Sequence, residues 1–443
     1  MTPNASSGRQ VRLATAGFSL FLAGQTLSQL GDRLNHVALI GVFGSGRPAA
    51  AGTIALAELA VAMTLPVLLF GAVSGVVADR WDRKRTLVAC DVVRAGLVAL
   101  IPVITRWTPA ALPVNALVFG VFLTSLLNNT TRTAVVPDLV PSDRLLTANA
   151  VLTSTGRVAT VAGVVSGGLI IEWGGWRRFG WGGYEAGFYL DAMTYLASAV
   201  FLMAIRLSPR PPRPAMTADA RGAFAVAWRD IIEARRAVQD SGRLGFVMVA
   251  VTALAAVSGA VYALVPVIMQ SGMNLGISRL GAVAAVLAAG VLVGAALTGM
   301  LKSERRRHAT IAAGIGIVGA LVVGVSLAGS FVALSVLAFL GGLFVAPVMV
   351  LLDTEIQEAA APNLRGRVSS AREIVVNLAF VAAAVAAGLV VVGLERVGAG
   401  TWHRPCLAAA GCLAVVTAVT VLSPARWVRQ ESATDACPSS LSV

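Results

Sequence analysis

The chain has 443 residues, 57% of them apolar and only 13% charged, with a mean hydropathy of +0.79. Apolar content this high, gathered in long runs, excludes an ordinary soluble globular domain and points to a multispanning membrane protein. The formal net charge of +13 would also suit a nucleic-acid partner, but only the bilayer reading predicts where the basic residues fall, and no nucleic acid is expected.

Runs long enough to cross a bilayer as helices begin at 15–43. Arg9 and Arg12 precede that run as they would in a signal peptide, but it is too long for a signal core and many more follow, so it is read as an uncleaved first helix. Five further spans lie near 51–78, 86–104, 111–131, 148–171 and 186–207, and a second set near 244–270, 280–301, 309–327, 331–352, 374–394 and 404–422. The expected fold is therefore an all-α membrane protein of about twelve transmembrane helices in two six-helix bundles, 1–207 and 244–423. Between them, 208–243 opens on the proline-rich SPRPPRPAMTADARG. It continues with Phe224, Ala227, Trp228, Ile231 and Ile232 spaced for an amphipathic helix on the membrane surface, its arginines against anionic headgroups. The tail 424–443 reads as disordered.

With the N-terminus in the cytoplasm, Arg80, Arg83, Lys84, Arg85, Arg132 and Arg144 become cytoplasmic, as do Lys302, Arg305, Arg306, Arg307, Arg365 and Arg367. The opposite loops hold fewer, such as Arg47, Arg106, Arg177, Arg178, Arg279 and Arg396. The positive-inside rule therefore favours a cytoplasmic (inner) membrane protein with both termini inside.

The stretch GVVADRWDRKR, between the second and third runs, resembles the loop motif G-x-x-x-D-R-x-G-R-[RK] of the major facilitator superfamily, with Gly75, Asp79, Arg80, Arg83 and Lys84 as the matches and Asp82 in place of the second glycine. The form DRxDR[KR], with Asp91 following, resembles the branch containing macrolide-efflux and enterobactin-exporter proteins, as do LSQLGDRLNHVAL, PDLVPSDRLLTANAVL and LRGRVSS. In physical terms Gly71 and Gly75 form a small face for close helix approach. Asp79 is expected to pair with an arginine or cap a helix N-terminus of the other bundle, and with Arg80 to form a latch holding the cytoplasmic side closed. Asp91 and Arg94, spaced i,i+3, could extend that latch. Arg83 and Lys84 serve either the latch or membrane orientation. GVVSGG resembles the superfamily's antiporter motif G-P-x-x-G-G with Val164 replacing proline, so Gly163, Gly167 and Gly168 mark either a transport bend or simple helix packing.

Ionisable residues inside spans are the site candidates, because burying each costs about 2.5 to 3.5 kcal/mol on insertion scales. They are Asp32, Arg33 and His36 in the first helix, Glu58, Asp91, Arg94, Arg157 and Asp191. Asp32 and His36 share a helix face at i,i+4, and Asp32 is the first choice for a carboxylate that alternates between protonated and ionised forms. Arg157 could be its counter-charge or attract an anionic substrate group. The alternative is that these residues only neutralise one another or snorkel from span ends.

Gly314, Gly316 and Gly319 spell G-x-G-x-x-G inside an apolar run without βαβ context, and no Walker sequence appears. The four cysteines and three histidines lack metal-ligand spacing, so no cofactor or metal is expected. The resemblance implies a monomeric secondary transporter that exports an amphipathic drug, antibiotic or secondary metabolite in exchange for protons, with siderophore export as the alternative. A membrane sensor or enzyme is disfavoured, since neither a sizeable soluble domain nor a clustered catalytic set is visible.

Overall fold

A computed structural model describes residues 16–44, 47–108, 110–205, 229, 232–298, 307–362, 364–397 and 402–420, without the side chains of Ala72, Val76 and Asp79. The tail, most of the linker, and the expectations for Lys302, Arg305, Arg306 and the Asp79 side chain lie outside the described residues.

Long apolar runs become helices because in hydrocarbon every backbone N–H and C=O must be satisfied within its own segment. Twelve long helices result among the described residues. The first six are α1 (Ala16–Gly44), α2 (Ala49–Arg80), α3 (Arg83–Trp107), α4 (Ala111–Leu139), α5 (Leu145–Glu172) and α6 (Gly183–Ala204). The rest are α7 (Gly242–Val267), α8 (Ile277–Thr298), α9 (Arg307–Leu327), α10 (Phe331–Ala359), α11 (Arg365–Arg396) and α12 (His403–Thr420). Eleven of them are long and apolar enough to cross a membrane; α1 falls short of that measure. Its middle carries Gln25, Gln29, Asp32, Arg33, Asn35 and His36, which marks it as a helix facing protein rather than lipid.

Within the first six, α1 packs on α5 and α6, α3 on α4 and α6, and α2 on α4. The second six repeat the pattern, with α8 on α10, α9 on α12 and α10, and α7 on α11. The two sets meet mainly along α5–α8 and α2–α11. Exposed apolar side chains such as Leu112, Leu169, Val332, Leu389 and Val419 form an outer surface suited to lipid, not water.

Several helix ends differ from the hydropathy reading. α4 runs through Pro137 to Leu139, α10 reaches Ala359 and α11 starts at Arg365, because the charged turns at these ends are helical. Residues 232–240 are helical, yet Ala234 is buried and Ala237 and Val238 pack against the core formed by α7, α9 and α10. The carboxylate of Glu233 also accepts a hydrogen bond from Arg367. Residues 233–238 are thus docked on protein, while Phe224, Ala227, Trp228 and Ile231 of the expected membrane-facing side lie outside the described residues and Ile232 is exposed.

Candidate functional site

Three carboxylates and one guanidinium meet inside the first six helices. Arg94, three turns into α3, donates to Asp91 one turn before it, and Asp91 Oδ1 also accepts from Asn128 Nδ2 of α4 at 3.2 Å. Asp91 and Arg94 are both buried. The other guanidinium nitrogen, Nη1, stands 3.7 Å from Asp32 Oδ1 of α1 and 3.5 Å from Ser125 Oγ of α4. Tyr195 of α6 donates its hydroxyl to Asp32, and its ring lies beneath the guanidinium, 4.3 Å from centroid to Cζ. Asp191, one turn before Tyr195, is fully buried; its Oδ1 accepts from Thr194 at 3.3 Å and its Oδ2 has no partner among the described residues.

The four helices can converge here because Gly31, immediately before Asp32, has no side chain. A Cβ there would overlap Thr194 Oγ1 and Asp191 Oδ1. Asp32 remains 35% exposed while Asp91 is wholly buried, so two chemically identical carboxylates have different access.

A cavity of about 750 Å³ lies beside this cluster, within the size range of small-molecule sites. Gln29 lines it, and Asp32 follows three residues later on the same face of α1. The cavity lies among the C-terminal halves of α4, α8 and α10 and the first part of α5, so it sits toward the end of the molecule that carries the α2–α3 connection. At the opposite end the two sets touch. Glu172 Oε1, the last residue of α5, accepts the Ser278 N–H of α8 at 2.9 Å, and the Gly168 position approaches Ser278 so closely that a Cβ would lie 2.6 Å from its Cα.

In the α2–α3 connection, Arg83 and Lys84 bond within the first six helices. Arg83 donates to the carbonyl of Ala134 at 2.6 Å and to Asp138 Oδ2 at 2.7 Å on α4. Lys84 Nζ donates to the carbonyls of Met203 and Ile205 at 2.6 and 2.7 Å, closing the C-terminal end of α6. Arg80 is exposed. The latch expected of Arg83 and Lys84 is therefore corrected to bracing within the first six helices. Among the described residues nothing stands within 4 Å of a Cβ at Gly71 or Gly75, so no close helix approach is seen there.

Asp82, where the resembling motif has glycine, is the N-cap of α3 and accepts from Arg85 N–H at 2.7 Å. Asp82→Ala is expected to cost about 1 kcal/mol of stability and Asp82→Gly only a few tenths, since glycine is itself tolerated at an N-cap. Thermal unfolding of the two variants in one detergent checks this ordering; equal losses would remove the capping role.

The remaining candidates separate. Asp191 lies beside Asp32, and Asp91 and Arg94 belong to this cluster and not to the loop. Arg157 lines the cavity and is not the partner of Asp32, a position that Arg94 holds. Glu58 is exposed on α2 and accepts from Asn115 Nδ2 at 3.4 Å, apart from the cluster. The His36 ring stands 5.9 Å from Tyr262 of α7, which in turn meets Phe380 of α11 at 5.5 Å. Arg33 is exposed, and its Cβ would stand 2.7 Å from a Cβ at Gly163. Gly163 and Gly167 thus let α5 lie on α1, and Gly168 lets it lie on α8. Tyr195, Asn128 and Ser125 were not singled out in the sequence, although Asp191 and Tyr195 at i,i+4 carry a usable signal. Among the described residues no group of three His, Cys, Asp or Glu could hold a metal.

Long apolar helices around a small-molecule-sized cavity, with a buried charge cluster beside it, define a helical membrane transporter. The profile of the Major Facilitator Superfamily matches residues 12–384, and the chain belongs to that family. An uncharacterized MFS-type transporter of Mycobacterium tuberculosis is 29% identical over 188 residues, 41% of this chain and 40% of that protein. The uncharacterized MFS-type transporter YfiS of Bacillus subtilis is 27% identical, over 42% of this chain and 41% of its own length. Each alignment spans less than half of the relative. Among solved structures, the nucleoside transporter NupG aligns with a TM-score of 0.69 at 11% identity, over 91% of this chain and 98% of that one. The POT family transporter PepTSo aligns at 0.69 and 13%, over 95% and 99%, and a bacterial homolog of the human lysosomal transporter Spinster at 0.66 and 13%, over 96% and 98%. These likenesses establish the fold.

Proposed function

We propose that this transporter exports an amphipathic small molecule in exchange for protons, the two six-helix sets rocking about a site that opens alternately to each side. The observation that carries the reading is the balance of charge around Arg94: one guanidinium serves Asp91 and Asp32, with Asp191 beside them carrying an unpartnered oxygen. Low-dielectric surroundings penalise uncompensated charge, and protons complete the balance. Asp32, partly exposed and one turn from the cavity-lining Gln29, is the group that exchanges them; its bonds to Tyr195 and Arg94 make and break as the cavity changes access.

Export is favoured by the resemblance of DRWDRK, LSQLGDRLNHVAL and LRGRVSS to exporter sequences, and by a cavity positioned to load from the end bearing the basic α2–α3 connection, which the positive-inside rule places in the cytoplasm. On that reading the protein is a monomer in the inner membrane with both termini cytoplasmic. Respiring everted vesicles test it: adding a transported compound from a panel of antibiotics and siderophores is expected to discharge the pH gradient reported by an acridine dye. Accumulation that continues unchanged after both the gradient and the potential are collapsed would exclude proton exchange.

A further inference from the structure

The cavity wall is two-faced in chemistry. Every uncharged polar side chain on it, Gln29, Thr133, Asn149, Thr153 and Thr160, comes from α1, α4 or α5. So do both of its arginines, Arg132 and Arg157. From the second set, α8 and α10 contribute only apolar side chains, including Leu287, Val291, Leu292, Val345 and Met349, apart from Asp353.

The charges on this wall do not cancel. Asp353 is the one carboxylate on it, and it is held by Arg372 of α11 at 3.1 Å. Among the described residues neither Arg132 nor Arg157 has an ion-pair partner. Cations inside a membrane protein are costly to keep, so two that face a cavity whose one carboxylate is engaged by Arg372 call for an anionic occupant. Guanidinium groups suit carboxylate, sulfonate or phosphate oxygens through parallel N–H donors.

We infer that the cavity binds an amphipathic organic anion, its acidic group against Arg132 and Arg157 and its apolar body against α8 and α10. This names the substrate class of the proposed transport site and rests on that reading. Basic amphipaths are disfavoured by the same field.

The test is equilibrium binding to the purified full-length protein in lipid nanodiscs, with two fluorescent probes that share a dansyl body. Dansylglycine carries a carboxylate and dansyl-ethylenediamine an ammonium. Dansylglycine is expected to bind saturably and at least about ten-fold more tightly, since a charged hydrogen bond is worth a comparable factor. Arg157→Gln and Arg132→Gln are each expected to weaken dansylglycine by about ten-fold and to tighten the ammonium probe, since each removes a repelling cation. Arg157→Lys, which keeps the charge, should recover part of the loss. Equal binding of the two probes, tighter binding of the ammonium, or indifference to both glutamine variants would overturn the inference. If the glutamine variants do not fold, the ranking of the probes on the unsubstituted protein decides. Selective anion binding without proton movement would retain the anion site and remove the exchange mechanism. Proton-coupled transport of the ammonium probe alone would do the reverse.

Discussion

Asp32→Asn is expected to abolish transport driven by a pH gradient while leaving exchange of substrate across the membrane intact. The substitution keeps the size of the side chain and an oxygen that can accept from Tyr195, so the packing around Gly31 and Thr194 is preserved. It removes the charge 3.7 Å from Arg94 and the ability to take up a proton. One proton moved through 100 mV supplies about 2.3 kcal/mol, enough for roughly a fifty-fold substrate gradient, and the variant should fall from that to no gradient. Proteoliposomes with a trapped pH dye measure both quantities at once. Full gradient-driven accumulation by the variant would sink the assignment. Asp91→Asn separates coupling from architecture: it leaves a buried guanidinium without its closest carboxylate, a loss of about 3–5 kcal/mol for a broken buried pair, so it is expected to lower folded yield. The difference follows from access, since Asp32 is partly exposed and Asp91 is not.

Access is also what a linear sequence conceals. Hydropathy located every long helix, because burial in lipid demands continuous apolar runs. It misplaced the start of α11 by nine residues, from 374 to Arg365, because Arg365, Arg367, Arg372 and Glu373 read as a loop although they form helical turns at the membrane edge. Asp32 and Asp191 were legible as intramembrane charges. Asp91 and Arg94 were visible as well, but their nearness in sequence to the basic loop argued for the wrong neighbours. At 1.5 Å per residue, Arg94 stands roughly 16 Å along α3 from Arg83, far enough to reach α1 and α6 and not the loop. Charge alone leaves Arg157 either the counter-charge of Asp32 or an attractor of an anionic group; Arg94 holds the first place, and the register of α5 turns Arg157 into the cavity. Tyr195 and Asn128 are ordinary residues for a span, and only the packing of α3, α4 and α6 gives them partners.

The expected latch at the α2–α3 connection and the contact seen at the far end lead to the second prediction. With the cavity at the end that carries the connection, the seal between the two sets is at the other end, where α5 meets α8. Gly168→Ala is expected to disrupt that seal. Its Cβ would fall 2.6 Å from Ser278 Cα and 3.1 Å from the Ile277 carbonyl oxygen, and both belong to backbone that has no rotamer to change. Gly281 tests the same contact from α8, because a Cβ there would stand 2.9 Å from the carbonyl oxygen of Val164. Either alanine should shift the population toward a state open at this end, and Gly168→Val should shift it further. Glu172→Gln leaves an amide oxygen for the Ser278 N–H and removes only the charge assistance of that bond. Its effect should be smaller, about ten-fold or less in the ratio of the two states. Spin labels at Gly174 and Asn274 read this separation directly by pulsed dipolar spectroscopy. Longer distances for Gly168→Ala and Gly281→Ala alike, with transport slowed in both, would identify Gly168 of GVVSGG and Gly281 as the closing surface of a gate. Distance distributions identical to those of the unsubstituted protein would reduce Gly168 to a packing residue and place the seal elsewhere along α2 and α11.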